Sequence, residues 1–208
     1  ADLQYEIATS RHQSFAIGIG YTPKVGLPFK DALLDQFDGN DDARRAIEST
    51  EFTKFTITPE YRFYFGKKGA PIGFYIAPFA RYTHMSFDQQ YKYTPSNNVP
   101  HEANIKGKFS GIGGGIGFGT QFALGKHMTF DWYIVGPFVG AMKANFDGTD
   151  DMSDLSDHDK ADLERDIEDV DLPLWTIDAT VGNNTINAKL KGPFVGIRAF
   201  GLSLGYRF

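Results

Sequence analysis

His84 and Ser86 are the side chains of this sequence best placed for covalent chemistry. A serine hydroxyl becomes nucleophilic when a nearby base accepts its proton, and histidine commonly serves as that base. In an extended strand, residues two apart lie on one face, so the two side chains would be neighbours. The spacing is compatible with a hydrolase, with Asp88 or Glu102 as candidates for the acid that orients the imidazole. The simpler interpretation is two polar residues at the end of a strand.

Two acidic segments, Phe37 to Asp42 and Phe146 to Asp151, have nearly the same sequence. Carboxylates beside glycine and Asn or Thr are oxygen ligands of the kind that Ca²⁺ takes. Neither segment has EF-hand spacing, and both could instead form a turn that caps a following helix. We expect no cofactor, and Ca²⁺ in these loops is the alternative. Its candidate ligands are Asp38, Asp41, Asp42, Asp147, Asp150 and Asp151.

Composition excludes several classes of function. The chain has no cysteine, so it can form neither a thiolate nucleophile nor a disulfide framework. Its net charge of −5 gives no basic footprint for nucleic acid. No segment approaches the ~18 uninterrupted apolar residues of a membrane helix. The 19 Phe and 10 Tyr beside 23 Gly instead favour strands and tight packing between them.

Alternation with a period of two is the dominant pattern of the chain. In the last segment, Gly201 to Phe208, bulky apolar residues occupy one face and small or charged residues the other. The same pattern recurs at 3–8, 14–21, 52–65, 72–93, 105–124 and 128–134. The small-residue face lacks the density of Lys and Glu of a soluble surface. We therefore predict an all-β fold, a small antiparallel transmembrane β-barrel with its apolar face towards lipid.

The connections alternate between short turns and long loops, as in bacterial outer-membrane barrels, where short turns are periplasmic and long loops extracellular. We predict one domain, 1–208, in the cell outer membrane. Its extracellular loops, at about 24–50, 94–104 and 146–190, would contain short helices. Only seven strands are visible, whereas such barrels close with an even number. Either the stretch 174–190 contributes a strand or one lies upstream. We favour the upstream strand, which gives eight in the intact protein.

Charged residues on the small-residue face would lie inside the barrel and would have to pair, because lone buried charges are costly. Arg198 is in phase with the apolar Phe194 and Phe200, which would place it in lipid. A bulge at Ile197–Ala199 would turn Arg198 inward and leave Val195 and Ile197 outside. The interior charge network that we predict consists of Glu6, Glu60, Arg62, Arg81, Asp131, Arg198 and Arg207, with Gln4 beside them.

Residues 52–82 carry a resemblance to a known family. The segment Thr58 to Phe65, the turn from Gly66 to Pro71 and the segment Gly73 to Tyr82 resemble small outer-membrane β-barrel proteins that are catalogued as a domain of unknown function. The resemblance implies a signal-peptide-bearing barrel of about this length. It also implies an apolar segment ahead of the stretch Leu3 to Glu6. It implies no activity.

The position of His84 and Ser86 also resembles that of the His-x-Ser pair on the outer wall of outer-membrane lipid A deacylases. Phe87 stands where that family has Asn, and the motif lies in the middle of the chain. We predict a non-enzymatic structural, accessory or surface-interaction role, with a lipid A-modifying hydrolase as the alternative. The expected partners are outer-membrane lipid and lipopolysaccharide. The acidic segment Met152 to Val170 is a candidate for docking a protein partner in an envelope complex. A solute pore is disfavoured by the packed interior.

Overall fold

The computed structural model describes residues 1–26, 50–93, 101–149, 156–169 and 174–207, together with residues 30, 31, 34, 44 and 48. They contain one antiparallel sheet of eight strands, in the order β1-β2-β3-β4-β5-β6-β8-β7. The elements are β1 (Asp2–Ser10), β2 (Gln13–Gly26), β3 (Glu51–Phe65), β4 (Gly73–Tyr93), β5 (His101–Leu124), β6 (Met128–Thr149), α1 (Asp157–Glu168), β7 (Thr176–Val181) and β8 (Thr185–Tyr206). This confirms the predicted all-β antiparallel fold.

The strands are joined by tight turns at one end of the sheet. Residues 11–12, 66–72 and 125–127 form these turns. At the other end the connections 27–50 and 150–175 are long, as the sequence predicts, whereas 94–100 and 182–184 are short. Gly66, Gly69, Gly73 and Gly125 adopt positive φ, which a residue with a side chain seldom does. We refer to the two ends as the turn end and the loop end.

The strands extend further into the loop end than the sequence predicts. β5 begins at His101, β6 continues to Thr149 and β8 begins at Thr185, so the predicted loops 94–104 and 146–190 are too long. The ladder between β6 and β8 is paired out to Thr149 and Thr185. Backbone hydrogen bonds need no apolar side chains. Strand pairing therefore continues beyond the segments that the sequence assigned to strands.

The stretch 174–190 supplies a short eighth strand, the alternative that we considered less favourable. β7 pairs only with the loop-end part of β8, from Ile186 to Lys191. Helix α1 covers the other edge of β7, where Glu164 accepts a hydrogen bond from the Val181 N–H at 3.1 Å and Glu168 accepts one from the Ala179 N–H at 2.9 Å. These carboxylates satisfy backbone donors that would otherwise form an open sheet edge.

Contacts across the interior show that the sheet is rolled. Arg62 on β3 and Asp131 on β6 form an ion pair at 3.0 Å. In a flat sheet with ~4.8 Å between neighbours, strands three positions apart would be separated by roughly 14 Å. Arg198 on β8, one strand further, also reaches β3, where it contacts Glu60. The sheet therefore curls until opposite walls meet.

The hydrogen-bonded ladder is not closed within the described residues. β1 pairs only with β2, and the turn-end part of β8, from Gly192 to Tyr206, pairs only with β6. Six antiparallel steps separate β1 from β8, so the two edge strands run in the same direction. A seam therefore remains between β1 and β8. In the described part of the chain, no helix has the length and apolar character needed to cross a membrane.

The two faces of the sheet are inverted relative to an ordinary water-soluble protein. Side chains that point inward on β3 are polar and buried, among them Thr56, Thr58, Glu60 and Arg62. Large apolar side chains point outward and are exposed. They include Leu3, Tyr5, Ile7, Phe15, Ile19, Tyr21, Phe63, Phe74, Ile112, Ile116, Phe122, Trp132, Val139, Val195, Ile197, Leu202 and Leu204. The alternation read from the sequence correctly assigns residues to the two faces.

Arg198 points inward, and the inside-outside phase of β8 changes next to it. Val195 and Ile197 are exposed on one side of the change and Leu202 on the other. Phe200 has a φ of 55° and the pairing with β6 skips it, so the irregularity lies just beyond the predicted Ile197–Ala199. The inward direction of Arg198 was therefore predicted correctly, but the predicted bulge at Ile197–Ala199 is wrong, because the register between β6 and β8 is the same on both sides of Phe200.

Candidate functional site

Arg62 is the centre of an interior charge cluster. Its side chain is 1 % exposed, and Nη1 lies 3.2 Å from Glu6 Oε2 and 3.0 Å from Asp131 Oδ2. Nε donates to Glu60 Oε2 at 3.0 Å. Three strands thus contribute carboxylates to one guanidinium, whose planar set of donors suits several acceptors at once. The amide of Gln4 also faces Arg62, and its oxygen accepts from Nη2 at 2.7 Å when oriented towards it.

Polar uncharged side chains hydrogen-bond to Arg62 and to two of the three carboxylates, Glu6 and Asp131. The Tyr64 hydroxyl donates to Glu6 Oε1 at 2.6 Å, and Ser14 Oγ donates to the same oxygen. The Tyr75 hydroxyl donates to Asp131 Oδ1 at 2.9 Å. Gln121 Oε1 accepts from Arg62 at 3.3 Å. A buried charge is tolerated when its remaining hydrogen-bonding positions are filled in this way.

A second guanidinium joins the cluster through Glu60. Arg198 Nη1 donates to Glu60 Oε1 at 2.6 Å, while the other oxygen of Glu60 accepts from Arg62. The Arg198 guanidinium also lies over the Tyr133 ring, 4.2 Å from its centroid, and 5.2 Å from that of Phe79. These contacts with aromatic faces stabilise a cation removed from water.

Glycines on β5 make room for the rings around the cluster. A Cβ at Gly119 would overlap the Tyr75 hydroxyl, and one at Gly117 would overlap the Tyr133 hydroxyl. Arg62 in turn lies 4.4 Å above the Tyr75 ring. The inward glycines of β5 therefore make room for rings from the adjacent strands β4 and β6, as expected of a narrow interior.

Two of the predicted network residues have no ion pair in the cluster. Arg81 lies on the inward side of β4 but forms no ion pair with any described residue. Arg207 was predicted wrongly, because it lies beyond the end of β8 and its Nη2 donates to the Lys126 carbonyl oxygen at 2.8 Å. The strand ends at Tyr206, so alternation no longer determines the direction of the next side chain. Glu6, Glu60, Arg62, Asp131 and Arg198 do come together.

Several members of the cluster were not predicted. Ser14, Tyr64, Tyr75 and Gln121 were read only as positions of the strands, yet all four contact its charges. Their inward phase is visible in the sequence. Which strand faces which across the interior depends on how the sheet rolls, and alternation contains no information about that.

The outer face carries a different polar group, which includes the predicted histidine and serine. His84 and Ser86 point outward on β4, but each bonds to a different neighbour. His84 Nδ1 is 2.8 Å from Ser110 Oγ on β5, and Ser86 Oγ is 2.7 Å from Thr53 Oγ1 on β3. Cross-strand partners thus take precedence over the residue two positions along, since directly opposite side chains are closer. The His–Ser pair in the structure is His84 with Ser110.

The candidate metal ligands are only partly within the described residues. Asp38, Asp41, Asp42, Asp150 and Asp151 lie outside them. Asp147 lies in β6 opposite Asn187, so the turn expected there is absent. Among the residues that the structure describes, no group of three or more His, Asp or Glu side chains is arranged to hold a metal ion.

The fold and the cluster together define an all-β protein whose rolled sheet has a charged interior and an apolar exterior. The chain belongs to a family described as "Protein of unknown function (DUF3575)", whose model matches residues 2–163. The prediction of a family without an assigned function is thereby confirmed. No curated protein and no solved structure matches the chain.

Proposed function

We propose that the protein is an integral β-barrel of the bacterial outer membrane, with a packed interior and a structural, accessory or surface-interaction role. The observation that carries this proposal is the inversion of the two faces. Arg62 is 1 % and Glu60 3 % exposed, whereas Leu3 is 79 % and Ile197 70 % exposed. Water as the outer solvent would make this arrangement costly, and a hydrocarbon environment makes it favourable.

The height of the outer apolar surface supports the proposal. On β5, the outward side chains from Ile112 to Phe122 include Ile116 and Phe118 and no charge. Ten residue steps at ~3.3 Å, in strands tilted by ~40°, span about 25 Å, which is the height of the apolar band of outer-membrane barrels. Ser110, Lys108 and Lys106 follow in the same phase and mark the polar boundary.

A barrel in a membrane has no open edge, because hydrocarbon cannot satisfy backbone N–H and C=O groups. The seam between β1 and β8 would therefore be filled. Because the two edge strands run in the same direction, a single further strand running opposite to both gives antiparallel pairs on each side. With β1 to β6 and β8, that strand makes the eight-stranded barrel expected from the sequence, and β7 becomes part of a loop-end extension.

The asymmetry of the connections supports the outer membrane and an orientation within it. Bacterial barrels have short turns on the periplasmic side and long loops outside the cell. The turns at 11–12, 66–72 and 125–127 would then be periplasmic. Helix α1 would be extracellular, where its acidic surface is available to a protein partner.

The two tryptophans of the chain provide a direct test. Trp132 points outward, is 40 % exposed and lies within the apolar surface. Trp175 packs against Gly192 at the loop end. The full chain is refolded into vesicles whose lipids carry bromine on the acyl chains, because bromine quenches tryptophan emission on contact.

We expect strong quenching in the variant Trp175→Phe, which retains only Trp132. The matched variant Trp132→Phe retains only Trp175 and should be quenched much less. Equal emission of Trp132 with and without bromine would contradict the proposal. Far-UV circular dichroism of both variants checks that they contain the native sheet.

The contact between His84 and Ser110 favours one alternative function, a lipid A-modifying hydrolase on the outer wall. The pair replaces the predicted His84 and Ser86, and it lies at the edge of the apolar surface, where a lipid ester would be accessible. Among the described residues, no carboxylate hydrogen-bonds to His84 to orient its ring. The non-enzymatic role therefore stands as the primary proposal.

A further inference from the structure

Four lysines form a patch on the outer face at the loop end. Lys108 on β5, Lys143 on β6, and Lys189 and Lys191 on β8 are all exposed. Asn145 lies between Lys108 and Lys189 in the ladder, and Lys143 is directly opposite Lys191. Like charges on adjacent strands disfavour pairing. Stability of the sheet therefore does not explain their concentration here. We call these four residues the lysine patch.

The lysine patch is not neutralised by the surrounding protein. None of its members forms an ion pair with a described carboxylate. The nearby acids on the same face are Asp178, directly opposite Lys189, and Asp147 and Asp88, both opposite Lys106. With Lys106 included, five positive charges oppose three negative ones. This local excess of positive charge occurs in a chain whose net charge is −5. The patch is thus suited to an anionic ligand.

The surface beside the patch is recessed rather than flat. A cavity of about 450 Å³ lies on the outer face between β5, β6, β8 and β7. Its polar lining includes two patch lysines and several hydrogen-bonding side chains. These residues are Lys108, Lys189, Asn145, Asp147, Asp178, Thr180 and Asn187, so the two lysines of the cavity are balanced by two carboxylates. A cavity of this size can admit a headgroup with several polar oxygens.

The patch directly adjoins the apolar surface. Tyr82, Ile112, Ala141 and Pro193 lie opposite one another on four adjacent strands and form the last row of the apolar surface. The next row of outward-facing side chains towards the loop end is His84, Ser110, Lys143 and Lys191. Side chains in the first row contact the ends of acyl chains if the protein spans a membrane. Side chains in the second are then at the level of the headgroups.

We propose that the lysine patch binds the phosphate groups of a phosphorylated lipid headgroup in the outer leaflet, and that the adjoining cavity takes uncharged polar groups of the same headgroup. This inference rests on the proposed function, because the apolar surface must lie in the bilayer for acyl chains and phosphates to be reached together. Three or four lysines held by adjacent strands present their charges without reorganisation of the backbone. His84 and Ser110 extend the same row with further hydrogen-bonding groups.

The test measures the affinity of the folded full chain for lipid A in mixed micelles of a zwitterionic detergent. The patch variant Lys108→Gln, Lys143→Gln and Lys189→Gln removes three exposed positive charges at the loop end. The matched control, Lys67→Gln, Lys68→Gln and Lys126→Gln, removes three at the turn end. Lipid A with both phosphates, lipid A without phosphates and inorganic phosphate are the three ligands.

We expect the patch variant to bind bisphosphorylated lipid A about tenfold or more weakly, since each lysine near an anionic surface contributes roughly fivefold. The control variant should bind like the wild type, and removal of the phosphates should abolish the difference. The affinity should also fall with ionic strength. Equal losses in both variants, or no dependence on the phosphates, would overturn the inference.

Inorganic phosphate distinguishes a lipid site from a site for a soluble anion. If it displaces lipid A at the concentration at which it binds alone, the ligand is a free anion and the inference is wrong. Bromine quenching of Trp132 separates this failure from that of the proposed function. Quenching without phosphate-dependent binding contradicts only the lipid site, whereas absent quenching contradicts the membrane barrel itself.

Discussion

Arg198 and Glu60 form a hydrogen bond of 2.6 Å although their strands, β8 and β3, lie four positions apart in the sheet. Glu60 is also bonded to Arg62 through its other oxygen. One carboxylate therefore connects the guanidinium from the last long strand to the cluster centred on β3. This link lies close to the open seam and holds the last strand against the opposite wall.

The link between Arg198 and Glu60 should be measurable as a coupling free energy. We expect the substitutions Glu60→Gln and Arg198→Gln to destabilise the protein by less in combination than the sum of their separate effects. The expected coupling is about 1.5–3 kcal/mol, the range for a hydrogen bond to a charged group. Urea unfolding of the refolded protein in detergent micelles supplies the four free energies. A coupling below about 0.5 kcal/mol would show that the contact is dispensable.

Removal of Arg62 should be more damaging than either of those substitutions. Arg62→Met leaves three carboxylates in the interior without their common partner, and uncompensated buried charge typically costs about 3–5 kcal/mol. The matched substitution Arg207→Met removes a guanidinium that bonds only to the Lys126 carbonyl oxygen, and its cost should be below about 1 kcal/mol. The same unfolding experiment compares the two. Similar losses in both variants would exclude Arg62 as the organising charge.

Two glycines of β5 should respond differently to a single added methyl group. At Gly119 a Cβ would overlap the Tyr75 hydroxyl, whereas at Gly114 the closest atom is the Phe79 carbonyl oxygen at 3.5 Å. We expect Gly119→Ala to destabilise the protein by about 1–3 kcal/mol through overpacking. Gly114→Ala should change the stability by less than about 0.5 kcal/mol. Equal effects in urea unfolding would show that the interior is loosely packed.

The division of side chains between the interior and the exterior was the part of the fold best predicted from the sequence. Alternation assigned Thr56 to Tyr64 to the correct faces, and the conflict at Arg198 revealed a phase change before its geometry was known. Successive side chains of a strand point to opposite faces, so their alternation reflects only the environment that each face contacts. The ends of the strands were not predicted because the two faces exchange their character at the loop end. There Phe146 packs against Phe87 and Phe109, whereas Asn145 and Asp147 are exposed.

The contacts across strands and across the interior could not be derived in the same way. His84 and Ser86 are two residues apart in the sequence, but the register between β4 and β5 places Ser110 directly opposite His84. Arg207 continues the alternation of β8 in the sequence, but the strand ends at Tyr206, one residue before it. Register and the rolling of the sheet are properties of strand pairs, so a pattern within one strand cannot specify them.

The hydrolase alternative leads to a prediction about lipid A in living cells. We expect cells expressing the wild type, Ser86→Ala or Ser110→Ala to have the same distribution of lipid A acyl chains as cells without the protein. In the structure, Ser86 is bonded to Thr53, and His84 lacks an orienting acid among the described residues. Mass spectrometry of extracted lipid A gives the distribution. Loss of an acyl chain with the wild type that Ser110→Ala abolishes would establish the enzyme, and abolition by Ser86→Ala alone would support the original pair.

The packed interior predicts that the protein does not conduct. Arg62, Tyr75 and Ala77 are at most 1 % exposed and lie on neighbouring strands, so side chains fill the cross-section at their level. An eight-stranded barrel leaves room for little more than its own side chains. After insertion has been verified by quenching of Trp132, wild-type protein in a planar bilayer should give no steady current above that of the lipid alone. A lasting open channel would mean that the charge cluster lines a pathway, and the pore would then replace the structural role as the favoured function.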